Sequence, residues 1–310
     1  METTERSYPH IVSAIFGTPW AILPDKLAVI LDLIAFRASG ARLTAEEIQA
    51  RIGAVNRPAA GQSGGIAVLS LFGTVFNHAG MMAEMSGGTS VESFTKGFRA
   101  ALADPMVGGI LIRVDSPGGS VDGVPELANE ILASRGSKPI WALADTMAAS
   151  AAYWIASAAD EFAITPSGMV GSIGVLAAHE DVSRMHDTLG VKTTLISAGK
   201  YKTEANPYEP LSEDAKAHIQ GMVDTYYSMF TSAVARHRGQ AVADVRDGFG
   251  EGRMVAAKQA VEMGMADRVA SYDETIAQMQ KRMKRGNVKA EAEPMDLDTR
   301  ERRLRLAAMR

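Results

Sequence analysis

Apolar residues are spaced in two ways along this chain. From residue 8 to 52 they recur at helical intervals. Pro24-Asp25 suits a helix start, and Leu27, Ile30, Leu31 and Ile34 then share one face. Thr44 with Glu47 three residues on has the form of a capping box. Small and polar residues fill 56–65 and read as a linker. Beyond it the pattern changes to short, dense apolar runs, at 65–71, 109–114, 139–144 and 193–197, which predict strands. Helical spacing at 90–103, 124–134, 149–159 and 182–189 separates or follows them. Strands alternating with helices predict an α/β fold of βαβ units with a mostly parallel sheet. Two further helices are expected at 212–238 and 256–263, the second closed by Gly264. The chain divides into a helical segment with linker (1–60), one α/β domain (61–275) and a tail (276–310).

Composition narrows the chemistry. The 310 residues include no cysteine, which excludes disulfide scaffolds, thiolate metal sites and a cysteine nucleophile. The net charge of -4 argues against nucleic acid as the main partner. That charge is an average: residues 281–310 carry ten basic and five acidic side chains, and the rest of the chain is correspondingly acidic. Residues 300–309 suit a short basic amphipathic helix, either a solvated tail or a docking element. The N-terminal stretch lacks a basic start followed by an unbroken apolar run, so no secretory signal is expected. The most apolar early run, 27–36, is interrupted by Asp32 and is about half the length of a membrane span. A chain working in the cytoplasm, with no membrane partner, is the expectation.

Four clusters carry candidate chemistry. Asp115-Ser-Pro-Gly-Gly-Ser120 follows a predicted strand. Its glycines either make a plain βα turn or present backbone N–H groups to a developing oxyanion. Asp145-Thr-Met-Ala-Ala-Ser150-Ala-Ala-Tyr153 puts a serine among small residues where a strand gives way to a helix. Such a serine is either a cap or a nucleophile with room for a carbonyl. Gly168-Met-Val-Gly-Ser172-Ile-Gly-Val175 packs glycines closely, and Ser172 has a hydroxyl able to orient an amine. Gly199-Lys-Tyr-Lys202 offers a lysine that is either a surface charge or, if desolvated, a base. Lowering its pKa from about 10.4 to about 8 is worth roughly 3 kcal/mol, within the reach of burial. The Met- and Gly-rich stretch 77–89 reads as a flap over a cleft or a plain surface loop.

In this order and spacing the four motifs resemble the signal peptide peptidase A family of serine proteases. Ser150 and Ser172 are 22 residues apart, and Ser150 and Lys202 are 52 apart. The similarity runs from about Gly65 to Val269. Pro9-His10-Ile11-Val12, Ala103-Asp-Pro-Met-Val107, Pro139-Ile-Trp-Ala-Leu-Ala144 and Asn206-Pro-Tyr208 look like its phage branch, the capsid assembly (head maturation) proteases of lambda-like phages. The resemblance implies a crotonase- or Clp-like fold and a Ser/Lys dyad. Ser150 would be the nucleophile, Lys202 the general base and Ser172 the holder of the lysine. The backbone N–H groups of Gly119 and Ala151, with Gly118 beside them, would form the oxyanion hole. It implies no cofactor and no metal. It implies polypeptide substrates (scaffold, portal or capsid proteins, or the chain itself), a homo-oligomer, and work in the host cytoplasm or the procapsid. Lys200 is the rival base. A Clp-type triad would call on His179, and a crotonase-type thioester enzyme on paired carboxylates for which no spacing is evident. A soluble peptidase that degrades peptides and a non-catalytic scaffolding protein of the shell are the alternative functions.

Overall fold

The computed structural model describes residues 19–38, 61–63, 65–78 and 88–292. The capping box at Thr44, most of the linker, the core of the 77–89 stretch, and residues 300–309 lie outside the described residues.

The main sheet is built on β3 (Ile66–Phe72), β6 (Gly109–Ser116) and β8 (Ile140–Ala149), paired in parallel in that order. Helix α2 (Val91–Ala103) crosses from β3 to β6, and α3 (Val124–Ala133) from β6 to β8. These are the expected βαβ units, and α/β is the fold class. At one edge β2 (Gly61–Ser63) adds antiparallel to β3. The strands alternate strictly but are apolar on both faces, as in a sheet covered on both sides. Ile110, Ile112 and Val114 face the larger core with α2, α3 and α4 (Ala151–Ser157). Leu111, Trp141 and Leu143 face a second core closed by Ile276 and Met279 of α9 (Tyr272–Ala292). That helix runs on through residue 276, where the tail was expected to begin.

Strand β8 has two neighbours on its far side. Its first half pairs with β9 (Glu161–Ile164), which in turn carries β12 (Arg268–Val269). Its last residues, Met147 to Ala149, pair with β10 (Met169–Gly171), which carries β11 (Met254–Ala256). Between the halves the ladder to β6 jumps from Val114↔Ala144 to Ser116↔Ala148. Three residues of β8 bulge opposite one of β6, and the strand is turned toward a new partner.

A small second sheet holds, in order, β1 (Trp20–Ile22), β7 (Gly118–Ser120), β4 (Val75–Phe76) and β5 (Thr89–Ser90). Trp20–Ile22 is a strand, where helix was expected throughout 8–52. Pro19 and Pro24 bracket these residues, and backbone partners on both sides outweigh local helical spacing. The helix opened by Pro24 is present as α1 (Pro24–Ala38).

The expected strand at 193–197 does not form. Among the described residues they have no ladder partner, and they lie exposed, with Ile196 96% accessible. An apolar run becomes a strand only where a sheet edge receives it, and both edges of β10 are taken by β8 and β11. The short helix α5 (Ser183–Thr188) precedes this run. Beyond it, α6 (Glu213–Arg238) starts at Ser212, whose side chain accepts the Ala215 N–H, and stops at Gly239 in the left-handed region. Helix α7 (Val242–Gly248) and α8 (Ala257–Glu262) complete the domain. Among the described residues no helix is long and apolar enough to cross a membrane.

Candidate active site

Ser150 stands where the second half of β8 passes into α4. Its backbone is at φ 54°, ψ -119°, a conformation that costs an ordinary side chain of order 1–3 kcal/mol. Three contacts hold it there. Its N–H donates to Gly171 O at 2.7 Å, its carbonyl accepts the Trp154 N–H at 2.9 Å, and its hydroxyl donates to Gly174 O at 3.4 Å. The glycine-rich segment after β10 is therefore the outer wall of the serine turn. Ser172, in the same segment, is also at positive φ (51°) and buried, with its N–H on Arg253 O at 2.8 Å.

Gly118 and Gly119 form the opposite wall. Gly118 is at φ 93°, and a Cβ placed on it would overlap the Ala21 carbonyl oxygen and come 2.9 Å from the Ser150 Cβ. A Cβ on Gly119 would overlap the backbone of Val75. Only glycine fits at either position, for conformation at the first and for close approach at the second. The Gly118 N–H is engaged by the Ser116 hydroxyl at 3.2 Å. Of the two glycines this leaves Gly119 to present a donor. Ala151 opens α4, so its N–H lacks an acceptor within the helix.

The helix behind the serine is anchored at its far end. Arg135 donates from Nε to Ala158 O at 2.9 Å and from Nη2 to Ala159 O at 2.7 Å, Ser157 O at 3.2 Å and His237 O at 3.2 Å. The Ser157 hydroxyl donates to Trp154 O at 2.9 Å and is 2.9 Å from His237 Nδ1. One hydroxyl has one proton, so His237 is the donor in that second bond and carries its hydrogen on Nδ1. Burial, and then the cations Arg236, Arg135 and Arg238, hold the His237 pKa down at about 3. Trp154 stacks on Phe230 at 4.5 Å, fixing α4 against α6. These anchors escaped the sequence reading. Arg135 and His237 lie 102 residues apart, and no local pattern links them.

On the other face of the sheet, Arg113 holds Asp145 at 2.7 Å. Half-buried Asp115 lies on the same strand as Arg113. Burial first and Asp145 second raise its carboxyl above the usual range, against the pull of Arg113 and Lys26.

The structure thus brings together Ser150, Ser172, Gly118, Gly119 and Ala151. It does not bring Lys202 to them. Lys202 is exposed, its N–H donates to Gly199 O at 3.1 Å, and no hydrogen bond joins it to Ser150 or Ser172. Lys200 lies over its neighbour Tyr201 at 4.7 Å. His179 contacts Asn206 O at 3.3 Å and has no bond to Ser150. The contributions of the Gly171 and Gly174 carbonyls and of Ala21 were missed. The glycine spacing at 168–175 was the one signal for the first two.

Fold and site together define an α/β protein with a buried serine on a strained strand-to-helix turn, faced by paired glycines. The sequence model of peptidase family S49 matches residues 133–285. The chain is 33% identical over 290 residues to the capsid assembly protease C of Escherichia phage lambda, covering 88% of this chain and 66% of that protein. It is 30% identical to the head-tail preconnector protein GP5 of Enterobacteria phage P21, covering 88% of this chain and 57% of that one. The chain belongs to peptidase family S49, a family of serine proteases. It spans somewhat less than two thirds of the length of these two phage relatives. Among solved structures, a mutant of the membrane-bound stomatin-specific protease 1510-N is similar, with a TM-score of 0.46 and 15% identity over 68% of this chain and 82% of that one. A mutant of ClpP1 from Listeria monocytogenes has a TM-score of 0.42 and 12% identity, over 66% and 91%.

Proposed function

We propose that this chain is a serine endopeptidase that acts on proteins of a phage head (scaffold, portal or capsid) during assembly, with Ser150 as nucleophile and Lys202 as general base. The observation that carries the reading is the strained Ser150 turn facing Gly118–Gly119, an arrangement with no structural use that an ordinary helix cap would not serve better. In the proposed reaction a neutral Lys202 takes the Ser150 proton, and Ser150 Oγ bonds to the scissile carbonyl carbon. The resulting oxyanion accepts hydrogen bonds from the Gly119 and Ala151 N–H groups. The lysine ammonium then gives its proton to the leaving amine as the C–N bond breaks. Water, deprotonated by the same lysine, hydrolyses the acyl-enzyme and frees Ser150.

A lysine in water is protonated at neutral pH and cannot serve as base. Lys202 must therefore be desolvated in the working state. Its segment has the surface for that: Leu189, Val191, Leu195 and Ile196 are all exposed, an apolar run of the kind that marks a contact. This supports a homo-oligomer in which the run is covered and Lys202 leaves bulk water.

The test is co-expression of the full chain with the neighbouring head genes, followed by gel and mass analysis of the head proteins. Ser150→Ala and Lys202→Ala each lower processing by at least about a thousandfold, while His179→Ala keeps it. Identical processing with and without Ser150 would refute the assignment. Loss in His179→Ala with activity kept in Lys202→Ala would move the base to His179.

A further inference from the structure

The residues Pro19–Leu23 run through the site between two edges. On one side β1 is antiparallel to β7, with Trp20 opposite Ser120, Ala21 opposite Gly119 and Ile22 opposite Gly118. The Leu23 N–H donates to Pro117 O at 3.0 Å, and the Val121 N–H to Pro19 O at 3.4 Å. Antiparallel pairs alternate between those that exchange hydrogen bonds and those that do not. The two flanking bonds therefore make Ala21 and Gly119 an exchanging pair, which directs the Gly119 N–H at the Ala21 carbonyl. On the other side Trp20 and Leu176 exchange both bonds, at 2.8 and 2.9 Å.

The Ala21 carbonyl and the Ser150 side chain border the same small space, since one added carbon on Gly118 would crowd both. Ser150 itself is 0% exposed. An extended segment bonded along both edges, with a small residue whose carbonyl meets the Gly119 N–H beside Ser150, has the contacts of a bound peptide. A strand that served only to build the sheet would have no reason to turn a carbonyl into the space beside the serine.

We infer that Pro19–Leu23 occupies the peptide cleft in the register of a substrate, with Ala21 in the place of the residue whose carbonyl is attacked, and that it keeps the enzyme latent until displaced. The inference rests on the reading of Ser150 as nucleophile. It also assigns a substrate class: an extended polypeptide with a small apolar residue in the Ala21 place and a large apolar one before it. The strand is short and bounded by Pro19 and Pro24, so its ladder is limited and a competing peptide can replace it. Trp20, edge-on to Phe76 at 6.3 Å, supplies much of its hold.

The test reads binding without turnover. The full chain carrying Ser150→Ala is titrated with a fluorescein-labelled peptide of residues 17–24, and anisotropy gives the affinity. A tethered strand lowers apparent affinity in proportion to the time the cleft is filled. Adding Trp20→Ala, or separately Ala21→Asp, therefore tightens peptide binding at least about tenfold. Equal affinities in the three proteins, with unchanged circular dichroism, overturn the inference. So does undiminished binding of a labelled peptide that itself carries the Ala21→Asp change. A wild-type chain found cut between Ala21 and Ile22 overturns latency, because the strand would then be substrate rather than plug. Absence of hydrolysis by every chain with an intact Ser150 counts against the peptidase reading alone, since binding is measured on an inactive protein.

Discussion

Acid destabilises this fold through His237, and the size of the effect follows from the site. The imidazole is buried under α4, donates from Nδ1 to Ser157, and leaves Nε2 without a partner among the described residues. Protonation would place a cation among Arg135, Arg236 and Arg238. The folded pKa of about 3 lies below the ordinary 6.5. Between these two values the unfolded chain binds a proton that the folded chain refuses, so stability present above pH 6.5 is lost as the pH falls toward 3. The slope is about 1.4 kcal/mol per pH unit, or about 2 kcal/mol between pH 7 and pH 5. Other groups also titrate in this range, so the assay is comparative. Urea unfolding of wild type and His237→Asn is followed by circular dichroism at pH 7 and pH 5. Asparagine keeps an N–H near the Nδ1 position and cannot take up a proton. It loses stability at pH 7 through the smaller side chain, yet its further loss on going to pH 5 is smaller than that of wild type by about 2 kcal/mol. Parallel pH dependence in the two proteins would refute the buried neutral histidine.

Two further pairs of substitutions separate packing from conformation and charge from geometry. Gly119→Ala forces a Cβ into the Val75 backbone and costs more than about 3 kcal/mol, whereas Gly136→Ala, at φ 83° with open space around it, costs about 1 kcal/mol; thermal melts of the pair check this. Arg135→Met strands the carbonyls that end α4 and costs about 3 kcal/mol in urea unfolding, and Arg135→Lys recovers less than half of that, because an ammonium cannot span the fork.

How far the site could be read from residue order varies from element to element. The strands at 66–72 and 109–116 were legible because both faces of a covered parallel strand are apolar, a signal that needs no partner to be recognised. The Ser150 turn was legible because small residues at a strand-to-helix junction are a local event. The run at 193–197 has the same local look as a strand and is not one, because whether it pairs depends on edges that other segments had already taken. Trp20–Ile22 failed in the opposite direction: its helical surroundings concealed a strand whose partners lie about a hundred and more residues away at Gly118–Ser120 and Leu176.

The sequence by itself determined the α/β class, the serine, the paired glycines and the exclusion of thiol chemistry, since each depends on residue type and near neighbours. The tertiary structure decided what those residues face. It set the Gly171 and Gly174 carbonyls on the serine, anchored α4 through Arg135 and His237, left Lys202 in water, and paired the chain's own Ala21 with Gly119 beside Ser150. Each of these is a contact between segments distant in sequence. Such contacts are chosen by which edges and faces remain open after the sheet has closed, and no local periodicity encodes that.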